Sequence, residues 1–242
     1  GTTILGTGGG GSPHEGKRVL DSDLKAGLRL QVVNLDDVSE NSLIVSPYYV
    51  GSVAPEARPS KKVMIADPFA AALELIERHF GRKVAATVAT ELGGGNTAAA
   101  LHVASQLGIP MVDGDLMGRA GPELHQSTTH LFGASMAPSA VVSETGNVVF
   151  VERYADIDDY ESLARHVSVL AGGRAAVIDT PLTKSSASRI VIKGTISRSM
   201  AVGKAVRQAL QDRLDPIDAV RRALDGWPLF TGIGEKYEWK NE

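Results

Sequence analysis

The residues best equipped for chemistry lie between Glu91 and His130. Glu91-Leu92-Gly93-Gly94-Gly95-Asn96 sets a carboxylate before a glycine-rich turn. About twenty residues on, Asp113-Gly114-Asp115 is followed by Arg119, Glu123, His125 and His130. Carboxylates brought together can share a proton as acid and base, or hold a divalent cation. Glu91, Asp113 and Asp115 are therefore the candidate catalytic groups, and Asp113 and Asp115 the candidate metal ligands. Arg119 offers a donor fork suited to a substrate carboxylate. Gly94, Asn96 and Glu123 complete this part of the candidate binding set. Blander readings stand beside these. An Asp-Gly-Asp commonly forms a turn, and Arg119 can pair with Glu123 on the surface at little energetic gain. His125 and His130 are five apart, the wrong spacing for two zinc ligands on one helical face. The density of polar groups beside two glycine-rich turns favours function, because such crowding costs desolvation unless a ligand or network satisfies it.

A second group precedes it. Gly6-Thr7-Gly8-Gly9-Gly10-Gly11 satisfies GxGxxG. In a dinucleotide-binding unit such glycines let the backbone approach a pyrophosphate, and Asp36 or Asp37 would then hold a ribose. Against that reading, at most a short strand, Thr2 to Leu5, precedes the glycines. Ser12-Pro13-His14 interrupts the required helix start, and the acidic pair lies too far on. The run is equally a tight turn. The reading preferred here is a loop whose amides, at Gly8, Gly9, Gly10 and Gly11, line an anion or carbonyl pocket. No Gly-Lys-Ser/Thr ending of a Walker A loop is present.

These residues need a scaffold, and the pattern supplies an α/β one. Strands are expected at 30–35, 42–46, 84–90 and 109–113. A helix starts at Asp67-Pro68, with Phe69, Leu73, Ile76 and Phe80 on one face and Gly81 as its stop. Asn96 opens another, closed by Gly108. Strand, glycine-rich turn, helix and strand from 84 to 113 form a βαβ unit, which sends Glu91 and Asp113 to the carboxyl ends of parallel neighbours, where ligands gather. Then come a hairpin, 140–143 with 148–151, a helix near 158–171, and strands at 175–179 and 190–193. A helix at 195–214 has Ile196, Met200, Val206, Leu210 and Leu214 on its inward stripe, and another helix starts at Asp215-Pro216. The expected class is α/β, with a largely parallel central sheet, flanking helices and an attached antiparallel hairpin.

Composition narrows the function. The 242 residues carry 25 Lys and Arg against 28 Asp and Glu, a net charge of -3, so no basic excess serves a phosphate backbone. Cysteine is absent, which excludes disulfides, thiolate metal sites and a cysteine nucleophile. Any attacking group must be water or a hydroxyl. No apolar run reaches the roughly 20 residues of a membrane span. A cytoplasmic location is expected, with neither nucleic acid nor membrane as partner.

Four motifs in order resemble the S-Me-THD family, formerly a domain of unknown function. They are Ile4 to Pro13, Glu91 to Asn96 with the Ala-rich helix after it, Asp113 to Leu124, and Lys193-Gly194-Thr195-Ile196-Ser197-Arg198. The resemblance covers essentially the whole chain. It implies an α/β N-terminal domain, here 1–232, with a β-rich C-terminal domain whose first strand would be 233–242 and whose remainder is truncated. It also implies an enzyme similar to thiohydantoin desulfurases, with water attacking a ring C=S or C=N carbon, metal-assisted. Family members sit beside hydantoinase and oxoprolinase subunits, so a non-catalytic subunit of such a complex is the competing expectation, a Gly-rich-loop nucleotide-binding domain the third, and a homo-oligomer is compatible with any of them.

Overall fold

A computed structural model describes residues 1–51, 62–233, 235, 236 and 238. The chain opens with one helical turn, α1 (Thr2–Leu5), where a short strand was expected. The glycines then lead into α2 (Pro13–Lys25), whose N-cap is Ser12, with Pro13 at the first helical position. Ser12-Pro13 is thus the start signal of this helix and not an interruption. β1 (Val32–Val33) is shorter than expected, because Leu35–Asp37 turns into a 3-10 helix. β2 (Leu43–Gly51) runs well past its expected end, through Tyr48 and Tyr49.

α3 (Pro68–Phe80) begins where Asp67 accepts from the Ala70 amide and ends at Gly81, φ 62°. β3 (Val84–Ala89), α4 (Asn96–Leu107) and β4 (Met111–Asp115) form the expected βαβ unit, and Gly108, φ 66°, closes α4. A short helix, α5 (Thr128–Leu131), precedes the hairpin of β5 (Ser139–Val142) and β6 (Val148–Val151). α6 (Ile157–Ala171) and β7 (Arg174–Leu182) follow, then α7 (Lys184–Ile190), which the pattern did not reveal. β8 (Ile192–Lys193), α8 (Thr195–Gln211) and α9 (Pro216–Ala223) complete the elements.

The eight strands form one sheet in the order β1-β4-β3-β2-β7-β5-β6, with β8 beside β4. β1, β4, β3 and β2 run parallel. β7, β5 and β6 continue the sheet antiparallel, and β8 pairs antiparallel with β4. This is the expected α/β class with a parallel centre. Helices cover both faces, which is why β2 reads as an apolar run and not as an alternation. Leu43 and Val45 enter the core under α3 and α4, while Tyr48 enters the one under α6.

α8 is turned from its expected face. Ile196 is buried, but Met200, Leu210 and Leu214 are exposed, and Ser199, Val202, Gly203 and Ala209 face inward. Close approach explains the choice. A Cβ on Gly1 would overlap the Ser199 carbonyl, so the α1 segment lies directly on this small-residue stripe. No strand is assigned at Ile233, and most of the expected 233–242 strand lies outside the described residues. Among the described residues, no helix is long and apolar enough to cross a membrane.

Candidate active site

The carboxyl ends of β2, β3 and β4 open into a cavity of about 630 Å³. Its walls are the glycine-rich turn before α2, the end of β2 at Tyr48–Gly51, the turn after β3, and the loop 117–124 after β4. This is the crevice that a parallel sheet leaves beyond its strand ends.

Glu91 belongs to the buried part of the lining, at 7% exposure. Asn96 Nδ2 donates to its Oε1 at 2.7 Å, and the Gly121 amide donates to its Oε2 at 2.8 Å. Burial pushes the carboxyl above the usual Glu range; the two donors oppose that shift, and the nearby Asp115 adds to it. Asn96 also clamps β2: its Oδ1 accepts from the Tyr49 amide at 3.0 Å and its Nδ2 donates to the Tyr49 carbonyl at 3.2 Å. One side chain thus fixes the base of the cavity to the strand beside it.

The two glycine turns meet backbone to backbone. The Gly10 carbonyl accepts from the amides of Gly95 and Asn96, both at 2.9 Å, closing the first turn of α4. A Cβ on Gly10 would come within 2.5 Å of the Gly93 Cα. Gly10 and Gly11 take φ of 70° and 82°, and their amides have no acceptor among the described residues. Gly9, Gly10 and Gly11 line the cavity. Gly8 does not; its amide donates to Thr3 O at 2.9 Å. Nor does Gly94, whose missing side chain makes room for Pro13 at the head of α2, 2.6 Å from where a Cβ would sit. Asp36 and Asp37 are outside the lining, and Asp36 faces Lys193 at 3.5 Å.

Arg119 lies exposed in the lining, with no side-chain hydrogen bond or ion pair among the described residues. Glu123, its expected partner, instead faces His125 at 3.4 Å. Asp113 and Asp115 differ from expectation, since neither lines the cavity. Asp113 Oδ1 accepts from the Ser197 amide at 2.9 Å, and its Oδ2 accepts from the Ser197 hydroxyl at 2.5 Å. Gly194 is the N-cap of α8 and has no side chain to offer, so Asp113, on the neighbouring β4, supplies the acceptor for the first turn. Asp115 is fully buried behind Glu91; its Oδ2 accepts from the amides of Met117 and Gly118 at 2.9 and 2.6 Å, and burial raises its carboxyl. Among the described residues no three His, Asp or Glu side chains gather as metal ligands. Both Asp113 oxygens and Asp115 Oδ2 are engaged by amides and Ser197, while Asp115 Oδ1 is buried with no hydrogen-bond partner among the described residues; with one free oxygen between them and no opening to the cavity, the two do not fit the expected divalent ion.

Several lining groups had no warning in the sequence. Tyr48 and Tyr49 fell beyond the expected end of their strand. Glu161 and Arg165 sit one helical turn apart on α6, an ordinary surface pairing by pattern. In the structure Glu161 accepts from the Leu124 amide at 2.7 Å, and Arg165 Nη2 donates to the Pro122 carbonyl at 2.6 Å, so the pair staples the 117–124 loop. Arg174 stacks on the Tyr49 ring, 4.5 Å from its centre.

Residues 1–153 match the family model described as S-Me-THD-like, N-terminal domain, and residues 155–242 match S-Me-THD-like, C-terminal domain. The C-terminal region therefore begins at 155 and not at 233, ahead of α6 and β7. A crystal structure of a protein from Chromobacterium violaceum is similar, with 26% identity and a TM-score of 0.68 over 93% of this chain. This chain spans 63% of that protein's length. No curated protein matches.

Proposed function

This chain belongs to the S-Me-THD-like family, and on that footing we propose that its cavity hydrolyses a small cyclic thioamide or amide of the thiohydantoin class. The observation that carries the reading is Glu91: a buried carboxylate with a raised proton affinity, held by two donors in the lining of the strand-end cavity. Such a group suits general base and acid work. Water attacks the ring carbon that carries sulfur or nitrogen, and Glu91 takes its proton. The developing anion is met by the amides of Gly10 and Gly11. Glu91 then returns the proton to the departing sulfur or nitrogen, so the base is regenerated. Arg119 holds a carboxylate on the ligand, and the walls of Tyr48, Tyr49 and Met117 suit a flat ring. No step passes through Asp113, Asp115 or a metal ion.

The test is turnover of a panel containing hydantoin, 2-thiohydantoin and S-methyl-2-thiohydantoin, each with and without a 5-acetate arm to supply the carboxylate, followed by release of sulfide, thiol or ring-opened product. Glu91→Gln keeps the shape and one acceptor and should lower turnover per folded molecule about 100-fold or more, while its NH2, set against the Gly121 or Asn96 donor, costs about 1–3 kcal/mol of stability. Full activity in that variant would remove Glu91 from the chemistry, and no turnover by the unaltered protein would remove the substrate class.

A second reading has its own observation. Leu210, Leu214, Ile217, Trp227, Leu229 and Phe230 are all well exposed on α8, α9, the turn between them and the segment after them. Apolar area of that kind favours an interaction surface, for which we propose a hydantoinase- or oxoprolinase-like subunit as the partner. Sedimentation of the two proteins mixed, against each alone, tests it.

A further inference from the structure

One buried acid is unused by that chemistry. Asp179, on β7, is 1% exposed. Its Oδ2 accepts from the Tyr48 hydroxyl on β2 at 2.8 Å and from the Tyr160 hydroxyl on α6 at 3.0 Å. Its Oδ1 accepts from Thr180 Oγ1 at 3.0 Å. Thr180 takes φ of 49°, a region that β-branched residues rarely occupy, and its amide is held by the Met136 carbonyl at 2.9 Å. Strain of this kind persists only where its surroundings enforce it, and it recurs at functional positions.

The cluster can hold a proton in two ways. When Asp179 is ionised, three hydroxyls donate to it. When it is neutral, its own proton goes to the Tyr160 oxygen, and the Tyr160 hydroxyl must turn elsewhere. Ser139, on β5, provides the place. Its buried Oγ has no hydrogen-bond partner, yet it is among the groups acting on Tyr160. An orphaned buried hydroxyl calls for an explanation, and the second proton arrangement supplies one. Burial brings the Asp179 carboxyl up to about 7, so both arrangements are populated near neutral pH. The titratable groups around it are Tyr48, Tyr160 and Tyr154, the last stacked on Tyr160 at 5.0 Å. Among the described residues no Lys, Arg or His side chain is bonded to the cluster. A mere strut between β2, β7 and α6 would be served as well by an amide, without the cost of burying an acid. Tyr48 also lines the cavity.

We propose that Asp179, Tyr48, Tyr160 and Ser139 form a proton-storage site wired to the cavity through Tyr48, so that an anionic ligand entering the cavity makes Asp179 take up a proton from solvent. The proposal rests on the reading above that the cavity accepts an anion. A new negative charge nearby disfavours the ionised form of Asp179, so binding and protonation reinforce each other. Asp179 acts here as a positioning residue and touches no ligand.

The experiment is titration calorimetry with hydantoin-5-acetate in buffers of different protonation enthalpy. The unaltered protein should take up a sizeable fraction of a proton at pH 7.5 and almost none at pH 5, where Asp179 is already protonated. Asp179→Asn should bind the probe at pH 5 and show no uptake at 7.5. Equal uptake in Asp179→Asn, or binding without uptake by the unaltered protein, overturns the proposal. If the probe does not bind, the anionic reading of the cavity fails, and storage is then judged on the ligand-free protein. There the ¹³C shift of the Asp179 carboxyl should titrate near neutral pH and move upward in Tyr48→Phe, which removes a donor to the ionised form. A carboxyl ionised down to pH 5 overturns storage.

Discussion

Replacing Gly93 by Ala separates two reasons for which this chain uses glycine. A Cβ there would fall 2.7 Å from the Gly10 carbonyl carbon, and closer still to the Gly10 Cα and oxygen, all of them backbone atoms. The two turns must move apart, and Gly10 O then releases the amides of Gly95 and Asn96. Each lost bond costs about 1 kcal/mol, and the residual strain adds about 1–3 kcal/mol. The expected loss is about 3–5 kcal/mol. Gly8→Ala is the control. A Cβ on Gly8 meets nothing within 4 Å, but φ is 88°, so only the backbone penalty of about 1 kcal/mol applies. Urea unfolding measures both, with the slope expected to stay unchanged. The melting temperature should fall by roughly 10 °C for Gly93→Ala and by roughly 3 °C for Gly8→Ala. If Gly93→Ala lies within 1 kcal/mol of Gly8→Ala, the close approach of the turns is not what holds this part of the cavity.

Three further outcomes follow from the site and its surroundings. Asp179 has a folded pKa of about 7 against 3.8 for an ordinary Asp, so its contribution is fully present below pH 4 and is lost as pH rises through 7. The unfolding free energy of the protein relative to Asp179→Asn should therefore drop by about 4 kcal/mol between pH 4 and pH 8, read from urea curves at each pH. Arg119→Lys should raise the apparent substrate constant about tenfold with little change in turnover or melting temperature, because a two-pronged donor is exchanged for a point charge; a change below twofold would return Arg119 to the solvated surface. Asp113→Ala should cost about 1–2 kcal/mol in thermal unfolding through the lost cap of α8, and leave turnover per folded molecule intact; a selective loss of turnover would restore Asp113 to the chemistry.

Local signals carried the parts of the fold that depend on neighbours in sequence. Asp67-Pro68 and Gly81 bound α3, Gly108 and Gly172 close α4 and α6, and the β-branched run before Glu91 is β3. Glu91 and Asn96 reach the cavity because the βαβ unit delivers them there, and Arg119 follows on the loop after β4 that Glu161 and Arg165 hold in place. Asp113 and Asp115 could not be judged the same way. Asp113 finds its partner at Ser197, 84 residues away, which no local pattern shows, whereas Asp115 closes a turn onto the amides of Met117 and Gly118, the blander reading of Asp-Gly-Asp. The face of α8 was hidden for a similar reason. Apolar periodicity marks Met200 and Leu210, whereas the contact that decides is the closeness of Gly1 to Ser199 and Gly203. The Tyr48–Asp179–Tyr160 cluster joins three elements, and no spacing along the chain announces it.

The position of β7 bears on how the chain can be divided. It comes from the region matched by the C-terminal family model, yet it lies between β2 and β5, both from the N-terminal one. Cutting at 154 would strip β2 and β5 of their shared neighbour and leave one long and one short buried strand edge bare, the usual prelude to aggregation. The two family regions are therefore one cooperative folding unit, and neither is a transferable module. Fragments 1–153 and 155–242 produced apart should be insoluble, whereas co-produced they should reassemble by insertion of one strand. That makes residue 154 a natural split point for a complementation reporter whose signal depends on β7 finding its slot.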